Sequence, residues 1–254
     1  MSTVSNILLI LAVLSFAFIS CSSSSNNENE EGSGDPSDLP LENLMSQDIS
    51  FMVMTVEEFG DDLDAYVMIN TTENFESVSL KLNGNPVQLE SWFGFYFADL
   101  ELTPAQEVDF ELEADDNSYS GSLTIPGLIQ ASFPSDFDLS SSYSFSWEID
   151  EDPPSFIAWL DIDTDDEWVE EAELLSGNAR SHTFDSSIYS HLSEDDVWYI
   201  DVGISAIDFD IRDDFVFVAS IDNYHEYEFD SDFFFRKKEQ PGGRLFQLIM
   251  ESGR

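Results

Sequence analysis

From residue 48 to about residue 230 the chain is a succession of short apolar-polar alternations broken by clusters of Asp, Asn, Ser, Gly and Pro. Runs at 49–56, 65–69, 78–82, 92–97, 108–112 and 119–125 show period-two alternation or enrichment in aromatic and β-branched residues, which marks strands. A second set follows at 129–133, 143–149, 156–162, 197–209 and 215–229. Asn83-Gly84 stands between the apolar runs around Leu80-Lys81-Leu82 and Pro86-Val87, and predicts a tight hairpin. Arg212-Asp213-Asp214 predicts another between the two last, long strands. Tyr119 to Ile125 reads as a closing strand, stopped by Pro126-Gly127. No run shows a convincing amphipathic helical period, which argues against an α/β enzyme fold.

Six or seven strands in about eighty residues suggest an immunoglobulin-like sandwich over 48–127. In the second set, Ser144-Phe145-Ser146-Trp147-Glu148-Ile149 is followed by Pro153-Pro154 and then Ser155-Phe156-Ile157-Ala158-Trp159-Leu160. A tryptophan-bearing strand, a Pro-containing turn and an alternating strand resemble a fibronectin type III-like module. That resemblance implies a second sandwich over 128–235. The expected fold is therefore all-β, with two tandem immunoglobulin-like antiparallel β-sandwiches.

The chain before residue 48 is of another kind. Residues 7–19 form an uncharged apolar core, shorter than the ~20 residues a spanning helix needs. Phe18-Ile19-Ser20-Cys21 resembles a bacterial lipobox, although Phe18 stands where Leu is favoured and residues 1–20 contain no Lys or Arg. The resemblance implies a signal peptide over 1–20, cleavage before Cys21 and a diacylglyceryl group on its thiol. It places the protein at the cell outer membrane as a lipid-anchored chain facing the periplasm or the exterior. Each buried acyl methylene contributes ~0.8 kcal/mol, so two or more chains anchor stably. Cys21 is the only cysteine, so no disulfide, Cys-based zinc site or catalytic thiol is expected in the folded part. Residues 21–47, rich in Ser, Asn, Glu and Asp, read as a disordered tether. Acids soon after the cysteine also resemble surface-export signals of some outer-membrane lipoproteins.

Charge changes the picture most. Of 254 residues, 53 are Asp or Glu and 8 are Lys or Arg, a formal net charge of −45. With 42% hydrophobic residues and 22 Phe the chain has material for a core, so the acidity does not imply disorder. A globule of this mass exposes roughly 11,000 Å², about one carboxylate per ~200 Å² and ~15 Å between neighbours. The Debye length is ~8 Å in physiological salt and ~3 Å at 1 M, so strong salt extinguishes most of the repulsion. An Asp-rich, Lys-poor surface resembles proteins of salt-adapted organisms. It also excludes nucleic acid as a partner.

Several side chains are chemical candidates. Asp161, Asp163 and Asp165 have the spaced oxygens that open a calcium loop, but Asp166 stands at the position of the turn glycine and Ala172 at that of the twelfth-position Glu. On a strand the three would instead share one solvated face. Calcium is the one cofactor this sequence raises. His182, His191 and His225 form no spaced ligand pair and read as surface residues. Ser187 has no evident base, and with so many acids no particular carboxylate pair points to glycoside hydrolysis. Trp92 and Trp168, near loops, are candidates for stacking on sugar rings, whereas Trp147, Trp159 and Trp198 read as structural. Residues 236–254 hold Arg236, Lys237, Lys238, Arg244 and Arg254, five of the eight cations, and could dock on the acidic body. The expected function is non-catalytic binding or adhesion at the cell envelope, with a glycan or an envelope protein as ligand. The alternatives are a glycan-binding lipoprotein, similar in plan to outer-membrane starch-binding lipoproteins of polysaccharide uptake, and a hydrolase on a sandwich scaffold.

Overall fold

A computed structural model of the chain describes residues 50–59, 62–71, 77–92, 95–164, 167–212 and 215–228. The expected signal peptide, Cys21, the tether, Asp165 and the basic segment 236–254 lie outside the described residues. In chain order the strands are β1 (Ser50–Phe59), β2 (Asp62–Asn70), β3 (Val78–Leu82), β4 (Asn85–Val87) and β5 (Glu90–Trp92). Next come β6 (Phe95–Asp99), β7 (Glu107–Ala114), β8 (Asn117–Thr124), β9 (Gln130–Ser132) and β10 (Tyr143–Glu148). The last are β11 (Ser155–Thr164), β12 (Trp168–Ser176), β13 (Ser181–Phe184), β14 (Val197–Arg212) and β15 (Phe215–Glu228). Among the described residues the only helical element is a single 3₁₀ turn, Ser186–Ile188, and no helix is long and apolar enough to cross a membrane.

The protein is all-β, and three sheets divide the strands. One has eight, ordered β12-β11-β14-β15-β1-β2-β6-β5; the others are β13-β10-β9 and β4-β3-β7-β8. The two small sheets face the same side of the large one. There Phe110 of β7 stacks on Phe217 of β15 with ring centroids 4.5 Å apart, and Trp147 of β10 meets Phe156 of β11 at 5.3 Å. Strands of the small sheets alternate cleanly: β7 buries Val108, Phe110, Leu112 and Ala114 and turns its acids to water. The hairpin read from Asn83-Gly84 is present. Both residues have positive φ, 51° and 74°, and Leu82 pairs with Asn85 across the turn. Arg212 pairs with Phe215 at the late hairpin.

The tandem arrangement is where the structure differs. The large sheet takes β1, β2, β5 and β6 from 48–127 and β11, β12, β14 and β15 from 128–235. The join is a parallel pairing of β1 with β15, running from Ser50↔Phe215 to Glu57↔Asp222. The described residues also fall within one compact unit, with no division near residues 127 and 128. The physical reason lies in β11, β14 and β15, which are buried on both faces. Phe156 to Leu160 and Phe215 to Ala219 are unbroken apolar runs, suited to a central strand covered on two sides and not to a half-solvated sandwich edge. The expected single strand at 92–97 is a hairpin, with Trp92 of β5 paired to Phe95 of β6.

Candidate functional site

One cleft opens where the β3–β4 hairpin faces β5, β6 and the segment after β6. Its volume is about 710 Å³, and Leu82, Ala98 and Leu102 form an apolar floor. Asn83, Asn85, Gln88, Glu90, Asp99 and Glu101 bring amides and carboxylates to its lining. The hairpin wall is held in place: the Asp109 amide donates to Asn83 Oδ1 at 2.9 Å, and the Asn83 amide donates to the Asp109 carbonyl at 2.8 Å. The opposite wall is pinned by the Leu100 amide, which donates to the Ala65 carbonyl at 2.7 Å. A few polar groups over an apolar base suit a small ligand bearing several hydroxyls. Of the predicted stacking residues, Trp92 ends β5 two positions beyond Glu90; its side chain lies outside the described set.

Asp161, Asp163 and Trp168 lie on the outer face of the large sheet, the side away from the two small sheets. Alternation places Glu170, Asp161, Asp201 and Glu226 in one row across β12, β11, β14 and β15, each directly opposite the next. Asp161 and Asp201 are fully buried, as is Asp222 nearby. The shared solvated face expected for Asp161 and Asp163 is therefore not found: Asp161 is enclosed and Asp163 is half-buried. Trp168, 36% exposed, donates its indole N–H to Asp161 Oδ1, so its edge is engaged by protein. Among the described residues no three His, Cys, Asp or Glu side chains are grouped to hold a metal ion.

Electrostatics make that row costly. Directly opposed residues have Cβ atoms ~5 Å apart, and two ionised carboxylates at that range repel by about 3 kcal/mol at an effective dielectric of ~20. Burial adds several kcal/mol per ion unless hydrogen bonds or a cation compensate. Beside the row, the Tyr66 hydroxyl donates to Glu57. Burial first and the Glu57 carboxylate second push the phenols of Tyr66 and Tyr224 above their ordinary range. Thr55 Oγ1 lies 2.6 Å from Ser220 Oγ and donates to Asp222 Oδ2 at 3.3 Å.

The histidines differ from the surface reading in one case. His182, with 8% of its side chain exposed, sits edge-on to Phe184 at 4.5 Å, and burial lowers its pKa against a smaller pull from Glu173 at 3.8 Å. His191 is exposed and 3.1 Å from Glu167; His225 is exposed against Tyr227. Trp147 and Trp159 are buried, as their structural reading requires. Ser187 follows Asp185, whose carboxylate accepts the Ser187 amide at 2.8 Å in the 3₁₀ turn.

Sequence reading missed the cleft and the acidic row for different reasons. Glu90, Asp99 and Glu101 are ordinary acids until the hairpin is set against β6. Asp161, Asp201 and Asp222 carried a usable signal, since each is an acid inside a long apolar run. No protein-family model matches the chain, and no curated protein is found to match it.

Proposed function

We propose that this chain is a non-catalytic, lipid-anchored binding protein of the cell envelope of a salt-adapted bacterium, and that its cleft takes a neutral glycan. The observation that carries this is the cleft itself, with its apolar floor and its amides and carboxylates spaced along the lining. Sugars present both faces such a site needs: C–H surfaces for the floor and hydroxyls for the polar groups. The acidic lining and the net charge of −45 disfavour uronic or sulfated sugars. The lipobox-like Phe18-Ile19-Ser20-Cys21 supplies the anchor, and the Ser- and Glu-rich stretch after it sets the body off the membrane.

Two experiments test the reading. Metabolic labelling with a palmitate analogue tags the wild-type chain and not Cys21→Ser; equal labelling of both removes the anchor. A glycan array probed with the full chain in strong salt gives binding to neutral oligosaccharides that Glu90→Gln/Asp99→Asn, in the cleft lining, weakens. Silence across the array sinks the glycan reading, and turnover of a bound oligosaccharide replaces it with a hydrolase.

A further inference from the structure

β12 is an outermost strand of the eight-stranded sheet, nine residues long, with β11 on one side only. Its register fixes which way each backbone group faces. The Thr164 amide donates to the Glu167 carbonyl at 3.1 Å, so the β11–β12 hairpin closes on a hydrogen-bonded pair. Such pairs alternate along an antiparallel ladder, and from that turn they fall at Ile162↔Val169, Leu160↔Glu171, Ala158↔Glu173 and Phe156↔Leu175. Trp168, Ala172 and Leu174 therefore turn their backbone N–H and C=O groups away from β11, and among the described residues nothing bonds to those groups. The other long edge is treated differently. β8, eight residues long and outermost in its own sheet, is closed by β14: Asp208 Oδ2 accepts the Thr124 amide at 2.7 Å, and Arg212 donates to the Ser120 carbonyl.

Side chains select the occupant. On one face of β12 Glu171 and Glu173 stand two residues apart, both exposed; on the other are Trp168, Ala172 and Leu174. His182 lies 3.8 Å from Glu173, but its own burial favours the neutral imidazole. A strand added here sets its residues opposite these, so it gains from cations at two alternate positions and from apolar side chains between them. Antiparallel pairing of two copies of this chain, centred on Ala172, would instead set Glu171 of each against Glu173 of the other. Like charges directly opposite repel, so the same acids that invite a basic strand turn away a second copy.

We propose that β12 is a strand-addition site, which takes an extended segment of a partner protein, alternating apolar and basic residues, as one more strand of the large sheet. The backbone groups of Trp168, Ala172 and Leu174 supply the ladder, and Glu171 and Glu173 select a basic partner. The site stands at the opposite edge of the sheet from β5 and the cleft, so it is independent of glycan binding.

Fluorescence anisotropy of a labelled synthetic peptide, acetyl-Thr-Val-Arg-Val-Arg-Val-Thr-amide, with the full chain tests this. Saturable binding is expected, weakened several-fold by E171Q/E173Q. A chain of net charge −45 attracts any cation, so the decisive comparison is Ala172→Pro, which changes no charge and removes an N–H that β11 does not use. It should weaken binding by about tenfold or more. Hydrogen exchange followed by NMR needs no variant and so covers a failure of Ala172→Pro to fold. The peptide slows exchange at the Trp168, Ala172 and Leu174 amides and leaves Val169, Glu171 and Glu173, which already donate to β11, unchanged. Absence of binding, equal binding by the parent and a folded Ala172→Pro, equal binding of the peptide with Glu in place of Arg, or slowing without the every-second pattern overturns the proposal. Slowing that grows with chain concentration in the absence of peptide gives the edge to a second copy instead. Binding that appears only after residues 236–254 are removed gives it to the chain's own basic end, and likewise overturns a separate partner.

Discussion

Trp159 lies flat across the middle of the large sheet because Gly203 has no side chain. The two are paired across β11 and β14, and a Cβ at position 203 would sit 2.1 Å from Trp159 Cζ2 and 2.4 Å from Cε2. Ordinary carbon contacts lie near ~3.5 Å, so Gly203→Ala forces the indole back by over an ångström. Trp159 is fully buried, and its Nε1 donates to Ser205 Oγ at 3.2 Å. Overpacking costs ~1–3 kcal/mol, and a buried N–H torn from its acceptor costs a further ~1–3. Loss of glycine's freedom in the unfolded chain returns ~0.4–1. The net is about 1–5 kcal/mol, a large part of the ~5–15 that holds a domain folded. Urea unfolding at fixed high salt measures it, and Trp159→Phe in the same background should recover at least ~1 kcal/mol of it. If Gly203→Ala matches the parent within ~0.5 kcal/mol, or the two changes simply add, the packing argument is wrong.

Other outcomes follow from the same structure. Melting temperature rises from low salt to 1 M NaCl, checked by calorimetry; a flat or falling trend contradicts the repulsion estimate. Gly177→Ala abolishes soluble expression or costs more than ~3 kcal/mol, because its Cβ would lie 1.7 Å from the Pro153 carbonyl oxygen, a backbone atom with little freedom to yield. His182 has a lowered folded pKa, so the unfolded chain binds its proton first as pH drops. Its contribution is complete above its unfolded value of ~6.5 and is lost as pH falls through the folded one, so wild type loses more stability from pH 7.5 to 5 than His182→Gln does. Denaturant midpoints across that range give the difference.

Much of the strand content is legible locally. The alternation in β7 and β10, the Asn83-Gly84 turn and the long strands flanking Arg212 are visible because each depends on neighbours in sequence. β12 escaped notice because Glu170, Glu171 and Glu173 interrupt both of its faces, leaving Ala172 and Leu174 on one and Val169 and Leu175 on the other. The pairing of β1 with β15 has no local mark, since residues about 165 apart meet there. Its indirect sign was the unbroken apolar character of Phe215 to Ala219, which a sandwich strand facing water does not need. The candidate site divides in the same way. Trp168 and Asp161 were singled out as stacking and calcium residues, yet the structure joins them to each other by a hydrogen bond between an exposed indole and a buried carboxylate. The cleft depends on the position of a hairpin against β6, which period and composition do not encode.

The binding site is tested most directly by calorimetry of the full chain in strong salt with an array-positive neutral oligosaccharide. The account predicts that Glu90→Gln/Asp99→Asn, at the cleft, weakens binding at least tenfold, or ~1.4 kcal/mol, while Trp168→Ala, on the outer face of the sheet, leaves it unchanged. Full affinity in the cleft variant, with loss on Trp168→Ala, would move the site from β5 and β6 to the opposite edge of the large sheet at β12 and contradict the account.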